Sequence, residues 1–361
     1  MTKSCCGEVV WVTLQVSQPY GIRLRSEAFR EEGLVRRYTI TTLVSAAILV
    51  ATSTSGQDVV VGILNNGHAV NRLDTTLAFY REVFGLRADP HPLRNPGIAA
   101  LFAAPGVQLR LAVLPLPNTS FGFALTEFSN VPRTAARPNV PDPGAAHLIL
   151  RVRDLDRVVA AARESGAQIV TPSLAPIKLR PTARGSRAIL LRDPDGYLVE
   201  GEDVSSSGDR SSNENVQSAG MRFAMADREA TLKFYGDLLG FKLTGDAEFR
   251  VVPAMADFTG VPEGSQMRAL SGTFPGTNDS IVFYEFKDLP RTRLHFHIQD
   301  PGAPAVSLRV IDLDGLLTRL RAAAVPVLSA RGEIVALTPS SRNILVEDPN
   351  GILIELYEEK R

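Results

Sequence analysis

The stretches AILLRDPDGYLVEGED (residues 188–203) and NILVEDPNGILIELYE (residues 343–358) are one hairpin written twice. In each, an apolar run leads into Asp-Pro, and a glycine follows two residues after the proline. Pro194 or Pro349 fixes φ at the corner, and Gly196 or Gly351 can take the positive φ that reverses the chain. A second apolar run then carries a glutamate seven residues past the aspartate, Glu200 and Glu355.

The duplication extends outward from that turn at an offset of 155 to 158 residues. LAFYREVFGL (residues 77–86) answers LKFYGDLLGF (232–241), PGVQLRLAV (105–113) answers EGSQMRALS (263–271), LTEFSNVPRT (125–134) answers FYEFKDLPRT (283–292), and DPGAAHLILRVRDLD (142–156) answers DPGAPAVSLRVIDLD (300–314). A repeat of this length marks two homologous domains. The Ser-rich, polar segment between them has the composition of a flexible linker. The division is therefore a leader over residues 1–57, a first domain over 58–203, a linker over 204–218 and a second domain over 219–361.

Each domain divides again, because a strand-like run followed by a helix occurs near its start and near its middle. Leu77, Tyr80 and Phe84, like Leu232, Tyr235 and Leu239, follow the i, i+3, i+7 spacing of a helix with one apolar stripe. Leu155, Val158, Val159 and Ala162 have their counterparts in Leu313, Leu316, Leu317 and Leu320, with Asp154 and Asp312 at the N-cap positions and Gly166 past the end of the first of these helices. Short alternating segments such as VQLRLAV, GFALTEF and SIVFYEF read as antiparallel strands. The unit is one strand, one helix and about three strands, four times over.

Size and charge bound the function. A chain of 361 residues has room for two globular domains, and 39 basic residues balance 39 acidic ones. No net field draws the protein to nucleic acid or to an anionic membrane, so a small neutral or mixed-charge molecule is the expected partner. In the leader, Arg36 and Arg37 precede an apolar run, Ile40 to Ala51, and then small residues, the layout of a signal peptide over residues 34–56 with a mature start near residue 57. This predicts export to the periplasm or beyond, with no stable membrane span in the mature chain; an uncleaved amino-terminal anchor is the alternative. Cys5, Cys6 and Trp11 all lie in the leader, so the mature chain has no thiol for a disulfide, a nucleophile or a metal. Residues 1–56 hold six basic and four acidic groups, which leaves the mature part at a net charge near −2. Oligomeric state is not encoded in these features. No nucleotide-binding glycine loop, hydrolase serine elbow or paired-histidine zinc helix is present in the sequence.

The helix motif LxxxLxFYxxxxGL, Leu73 to Leu86, and the closing hairpin DPxGxxxE, Asp193 to Glu200 and Asp348 to Glu355, resemble the vicinal oxygen chelate superfamily over roughly Val60 to Glu358. That superfamily includes glyoxalase I, bleomycin-resistance proteins, fosfomycin-resistance enzymes and extradiol dioxygenases. The resemblance implies an α+β fold of tandem glyoxalase-like domains, each of two paired βαβββ modules forming an eight-stranded cup that holds a metal or a ligand.

The same resemblance places up to four metal ligands, one on the first and one on the last strand of each module. In domain 1 these positions carry Asn65, Ala124, His147 and Glu200; in domain 2 they carry Gly220, Val282, Ala305 and Glu355. A divalent zinc, iron, manganese, cobalt or nickel ion is thereby expected at His147 and Glu200 in domain 1, and none in domain 2. His68 lies three residues after Asn65, an odd offset along a strand, so it reads as a packed or surface histidine on the opposite face. His295 and His297 alternate on one face of an exposed edge strand. With metal, the implied chemistry is a lyase or isomerase step in which the cation stabilises an enolate or oxyanion, with Glu200 as ligand or proton shuttle. An extradiol dioxygenase would require two histidines and a glutamate from the second cup, which offers only Glu355.

A metal-free protein that binds or sequesters a small molecule is the competing reading. Gln108 and Arg110 recur as Gln266 and Arg268 at matching strand positions and, with Glu355, are its candidate ligand contacts; the alternative is that this face of the strand meets solvent. Arg133 and Arg291 of the repeated Pro-Arg-Thr read as ligand contacts or as loop anchors. Domain 2 could also serve only as a packing partner for domain 1.

Overall fold

The computed structural model describes residues 59–179, 186–204 and 214–360. The leader, with its predicted signal peptide, Cys5, Cys6 and Trp11, lies outside the described residues, as does the middle of the linker. Among the described residues no helix is long and apolar enough to cross a membrane.

Four modules follow the predicted order. Module 1 runs from the strand Val60–Val70 through a helix, Leu73–Phe79, which widens into a π turn at Tyr80–Phe84, to the strands His91–Leu93, Gln108–Pro115 and Gly122–Ser129. Module 2 has the strand Ala146–Val152, the helix Leu155–Glu164, and the closing hairpin strands Arg187–Arg192 and Leu198–Asp203. Module 3 repeats module 1, from the strand Val216–Ala224 through the helical Arg228–Leu238 to Gln266–Thr273 and Ser280–Phe286. Module 4 repeats module 2, with Pro304–Val310, the helix Leu313–Ala322, Ser341–Glu347 and Leu353–Glu359.

The local signals act as their chemistry requires. Asp154 accepts the Arg157 amide at 2.9 Å and Asp312 the Gly315 amide at 3.1 Å, so both predicted caps satisfy an orphan donor of their helix. The apolar stripes Leu155, Val158, Val159, Ala162 and Leu313, Leu316, Leu317, Leu320 are all buried against the sheets. Gly196 and Gly351 reverse the chain at φ of 91° and 96°.

The modules pair into two cups, as a βαβββ fold demands, but not with their neighbours in each domain. The first strand of module 1 lies antiparallel to that of module 4, with Asn65 opposite Ser307 and Gly67 opposite Ala305, in a sheet of eight strands. The first strand of module 2 lies antiparallel to that of module 3, with His147 opposite Arg222, in the second sheet. Each cup therefore takes one module from each domain. The expectation that His147 and Glu200 share a cup with Asn65 and Ala124 is corrected by this pairing. The reason is that a first-strand edge is a row of backbone donors and acceptors, which any of the four equivalent edges can complete.

Candidate functional site

The cup of modules 1 and 4 encloses a cavity of about 150 Å³. Its wall is apolar, including Leu109, Leu111, Phe128, Leu337 and Leu345, and the helix Ile98–Leu101 contributes Ile98 and Leu101. Asn65, Ser307 and Glu355 stand together at one place on the lining, since Asn65 is the register partner of Ser307 and Ser307 that of Glu355. The Ser307 hydroxyl donates to Glu355 Oε2 at 2.6 Å. Burial pushes the Glu355 carboxyl above its ordinary range, against the Ser307 bond, which pulls it down. At the remaining family positions this cup has Ala124 and Ala305, and Gly67 lies between them in register. A β-carbon on Gly67 would sit 1.8 Å from the Ala124 carbonyl oxygen, so the strands close over a position with no room for a side chain.

The cup of modules 2 and 3 holds a second cavity of about 200 Å³, lined by His147, Arg222 and Tyr284 among Met255, Met267 and Phe286. His147 Nε2 and the Tyr284 hydroxyl are 2.8 Å apart, and that hydroxyl donates to the Val140 carbonyl at 2.7 Å. One tautomer satisfies both contacts: Nε2–H donates to Tyr284, and Nδ1 is left as a buried acceptor. Burial, followed by the guanidiniums of Arg222 and Arg192, holds the imidazole well below its ordinary pKa, hence neutral. Glu200 is fully buried and meets Arg222 Nη1 at 3.3 Å. Burial raises its pKa and Arg222 opposes the rise. Arg222 thus stands as the cation beside the family's last-strand carboxylate.

The closing hairpins answer a different need. Asp193 Oδ1 accepts the amides of Asp195 and Tyr197 at 3.0 and 2.9 Å, and Oδ2 faces the Tyr80 hydroxyl at 3.3 Å. Asp348 does the same with the Asn350 and Ile352 amides at 2.8 and 2.7 Å and the Tyr235 hydroxyl at 3.0 Å. Each Asp-Pro turn clips module 2 or 4 to the first helix of module 1 or 3, so it ties one cup to the other. That is why the turn occurs twice.

His68 joins the first clip only. Its Nε2 lies 2.8 Å from Asp193 Oδ2, its Nδ1 2.9 Å from the Ala69 carbonyl, and its ring stacks on Tyr197 at 4.4 Å. With a carbonyl on Nδ1 and a carboxylate beside Nε2, the surroundings favour the protonated ring. Burial opposes that charge, but attraction to Asp193, the hydrogen bond with it and Asp195 outweigh burial and raise the pKa. The register is unbroken from Asn65 to His68, and the His68 ring is turned to Tyr197 and Asp193, while the residue also borders the cavity of modules 1 and 4. His68, Asp193 and Asp195 are buried with donor atoms within 4.8 Å of one another, a group that could hold a metal ion. Its atoms are also engaged within the protein, since Asp195 accepts the Asn71 amide at 2.7 Å and the Thr76 hydroxyl at 2.6 Å. Spacing along the sequence hides this group, because His68 and the hairpin lie more than a hundred residues apart.

The other candidates are placed as follows. Leu109, Leu111, Met267 and Ala269 line the cavities, while Gln108, Arg110, Gln266 and Arg268 alternate with them and are not lining residues. Arg110 pairs with Asp74 at 3.0 Å, and Arg268 pairs with Glu285 at 2.9 Å and covers the Phe249 ring at 4.5 Å. Arg133 donates to the Val70 and Asn71 carbonyls and Arg291 to that of Met225, so both are loop anchors. His295 and His297 are exposed beside Glu347 and Asp300, in a segment without strand pairing rather than in an edge strand.

Solved structures share this architecture. Glyoxalase I from Zea mays is 17% identical, with 82% of this chain and 92% of that chain covered at a TM-score of 0.51. A candidate dioxygenase from Bacillus subtilis is 13% identical, with 84% and 87% covered at a TM-score of 0.51. Such identities show the fold alone. No curated protein matches the sequence. Residues 66–200 and 221–356, most of the chain, match one family in tandem, and the protein belongs to the glyoxalase/bleomycin resistance protein/dioxygenase superfamily.

Proposed function

We propose that the protein binds a compact, mainly apolar organic molecule in the cup of modules 1 and 4, with the polar end of that molecule at Glu355, and that binding needs no metal. The cavity of about 150 Å³, whose wall is mainly apolar and whose polar residues are Asn65, Asn66, His68, Thr126, Ser307 and Glu355, carries this reading. An apolar cavity of about this size accepts a benzene-sized molecule. Ser307 occupies Oε2 of Glu355, so Oε1 is the oxygen left for the ligand. Burial shifts Glu355 towards the protonated acid, the form that would donate to a carbonyl or hydroxyl oxygen, a bond worth about 1 kcal/mol or roughly fivefold in affinity.

The donor sets support a metal-free reading. A catalytic divalent ion normally takes three protein ligands. Among the residues lining the first cavity Glu355 is the one carboxylate and is bonded to Ser307, and His68 is the one imidazole and is engaged with Asp193; in the second, His147 is bonded to Tyr284 and Glu200 is paired with Arg222. A divalent ion there would meet the Arg222 guanidinium at close range. Lyase or isomerase chemistry through His147 and Glu200 is the reading this one replaces. With its leader read as an export signal, the protein would bind its ligand outside the cytoplasm.

Ligand-observed NMR with toluene and benzaldehyde tests the proposal. Both should bind the wild type, benzaldehyde about fivefold more tightly. Glu355→Met should remove that preference, and Ala305→Leu, which fills the cavity, should abolish binding of both. Unchanged binding by the Ala305→Leu protein would defeat the proposal.

A further inference from the structure

Behind the cups, where the first clip joins module 1 to module 2, a groove of about 440 Å³ is lined by Thr75, Glu82, Arg137, Gln168, Arg192 and Asp193. The second clip has its own groove of about 340 Å³, which Lys233, Arg293 and Glu347 help to line. The repeat aligns Arg192 with Glu347 and Arg137 with His295. In the second groove the charges cancel locally, because Glu347 meets Arg293 at 3.0 Å and His295 at 3.6 Å. In the first groove both equivalent positions are arginine, and among the described residues neither has a carboxylate within ion-pair distance. Of the carboxylates that line the groove, Asp193 is paired with His68 and acts on Arg192 only through its field, and Glu82 is paired with Arg81.

Arg192 is fixed in place. Its Nη1 donates to the Gly196 carbonyl at 2.7 Å and its Nη2 to the Pro138 carbonyl at 2.6 Å, which uses two of five N–H groups. Arg137 lies over the same turn, where its Cγ comes within 2.6 Å of where a Gly196 β-carbon would be. Burial, then the Arg137 charge, lowers the Arg192 pKa, against the opposing pull of Asp193 and Asp142. At the nearby helix end the carbonyls of Ala161, Ala162 and Arg163 accept the amides of Ser165, Ala167 and Gly166.

We propose that this groove is a second ligand site, in which Arg137 and Arg192 together bind a small oxyanion of the phosphate or carboxylate class. Two planar guanidiniums present paired donors to such an anion, and their N–H···O⁻ bonds are the strong, charge-assisted kind. The anion supplies the negative charge that Glu347 supplies in the other groove. The site is separate from the cup cavities, so it holds whether or not the cup reading does.

Calorimetric titration of the full-length protein with inorganic phosphate and with malonate, at constant ionic strength set by chloride, tests it. At least one anion should bind with a stoichiometry near one; phosphate alone points to a phosphoryl ligand, and malonate to a carboxylate. Arg137→Gln removes one guanidinium without touching the bonds of Arg192 and should weaken binding by about tenfold or more. Arg192→Glu, which copies the second groove, should abolish it; a folded Arg137→Gln protein keeps the test decisive if Arg192→Glu fails to fold. No binding of either anion by the wild type, or equal binding by the Arg137→Gln protein, would overturn the proposal.

Discussion

Replacing His68 by phenylalanine should destabilise the protein, and adding Asp195→Asn should undo part of the loss. The second clip supplies the template. Where the first has His68, Asp193 and Asp195, the second has Phe223, Asp348 and Asn350, and Asn350 Nδ2 donates to Asp348 Oδ2 at 2.9 Å. An extra buried acid in the first clip is thus matched by a buried histidine whose cationic form the acids favour. His68→Phe alone leaves Asp193 and Asp195, 4% and 5% exposed, without that cation. Removing one partner of a buried ion pair costs about 3–5 kcal/mol, which lowers the melting temperature by on the order of 10 °C. Asp195→Asn in that background restores the Phe-Asp-Asn arrangement, and a coupling of about 2 kcal/mol lies within the range for contacting residues. The assay is a double-mutant cycle by calorimetry and urea unfolding across pH. The folded pKa of His68 is raised, so its contribution is complete below the ordinary histidine pKa and is lost as pH rises through the folded value. The cost of His68→Phe should therefore shrink towards alkaline pH. A double variant no more stable than His68→Phe, with a cost that does not vary with pH, would refute the charge-matching argument.

Arg222→Met should strand the buried Glu200 carboxylate and cost about 3–5 kcal/mol near neutral pH. Glu200 has a raised folded pKa, so its ionised form is disfavoured above that value and protonation relieves it below; urea melts should show the cost falling as pH is lowered. Dialysis against EDTA is expected to leave the melting temperature and benzaldehyde binding unchanged. A loss restored by zinc or manganese would count against the metal-free reading, and repeating it with His147→Ala and His68→Phe would locate the ion. Amino-terminal sequencing of exported protein should find a mature end near Gln57; an intact end at Met1 would contradict the signal-peptide reading.

The modules were legible because their signals are local. Helix caps at Asp154 and Asp312, the glycines of the two Asp-Pro turns and the apolar stripes each act within a few residues of chain, and each appears in its predicted role. The candidate site was legible only in part. Glu355 could be placed on a last strand, and it does line a cavity, but its neighbours Asn65 and Ser307 come together only through a strand pairing between chain ends. Strand alternation alone does not say which face is concave, so it could not tell Arg110 and Arg268 from Leu109, Leu111 and Met267 as cavity residues.

By itself the sequence determined four βαβββ units, their order and the repeated turn, since propensity, alternation and turn chemistry depend on near neighbours in the chain. Only the tertiary structure decided that module 1 closes with module 4 and module 2 with module 3. Backbone edges of equivalent strands are interchangeable as hydrogen-bonding partners, and the choice among them rests on contacts between distant segments: Thr134 with Asp300 and Thr292 with Asp142 within the cups, and Tyr80 with Asp193 and Tyr235 with Asp348 between them.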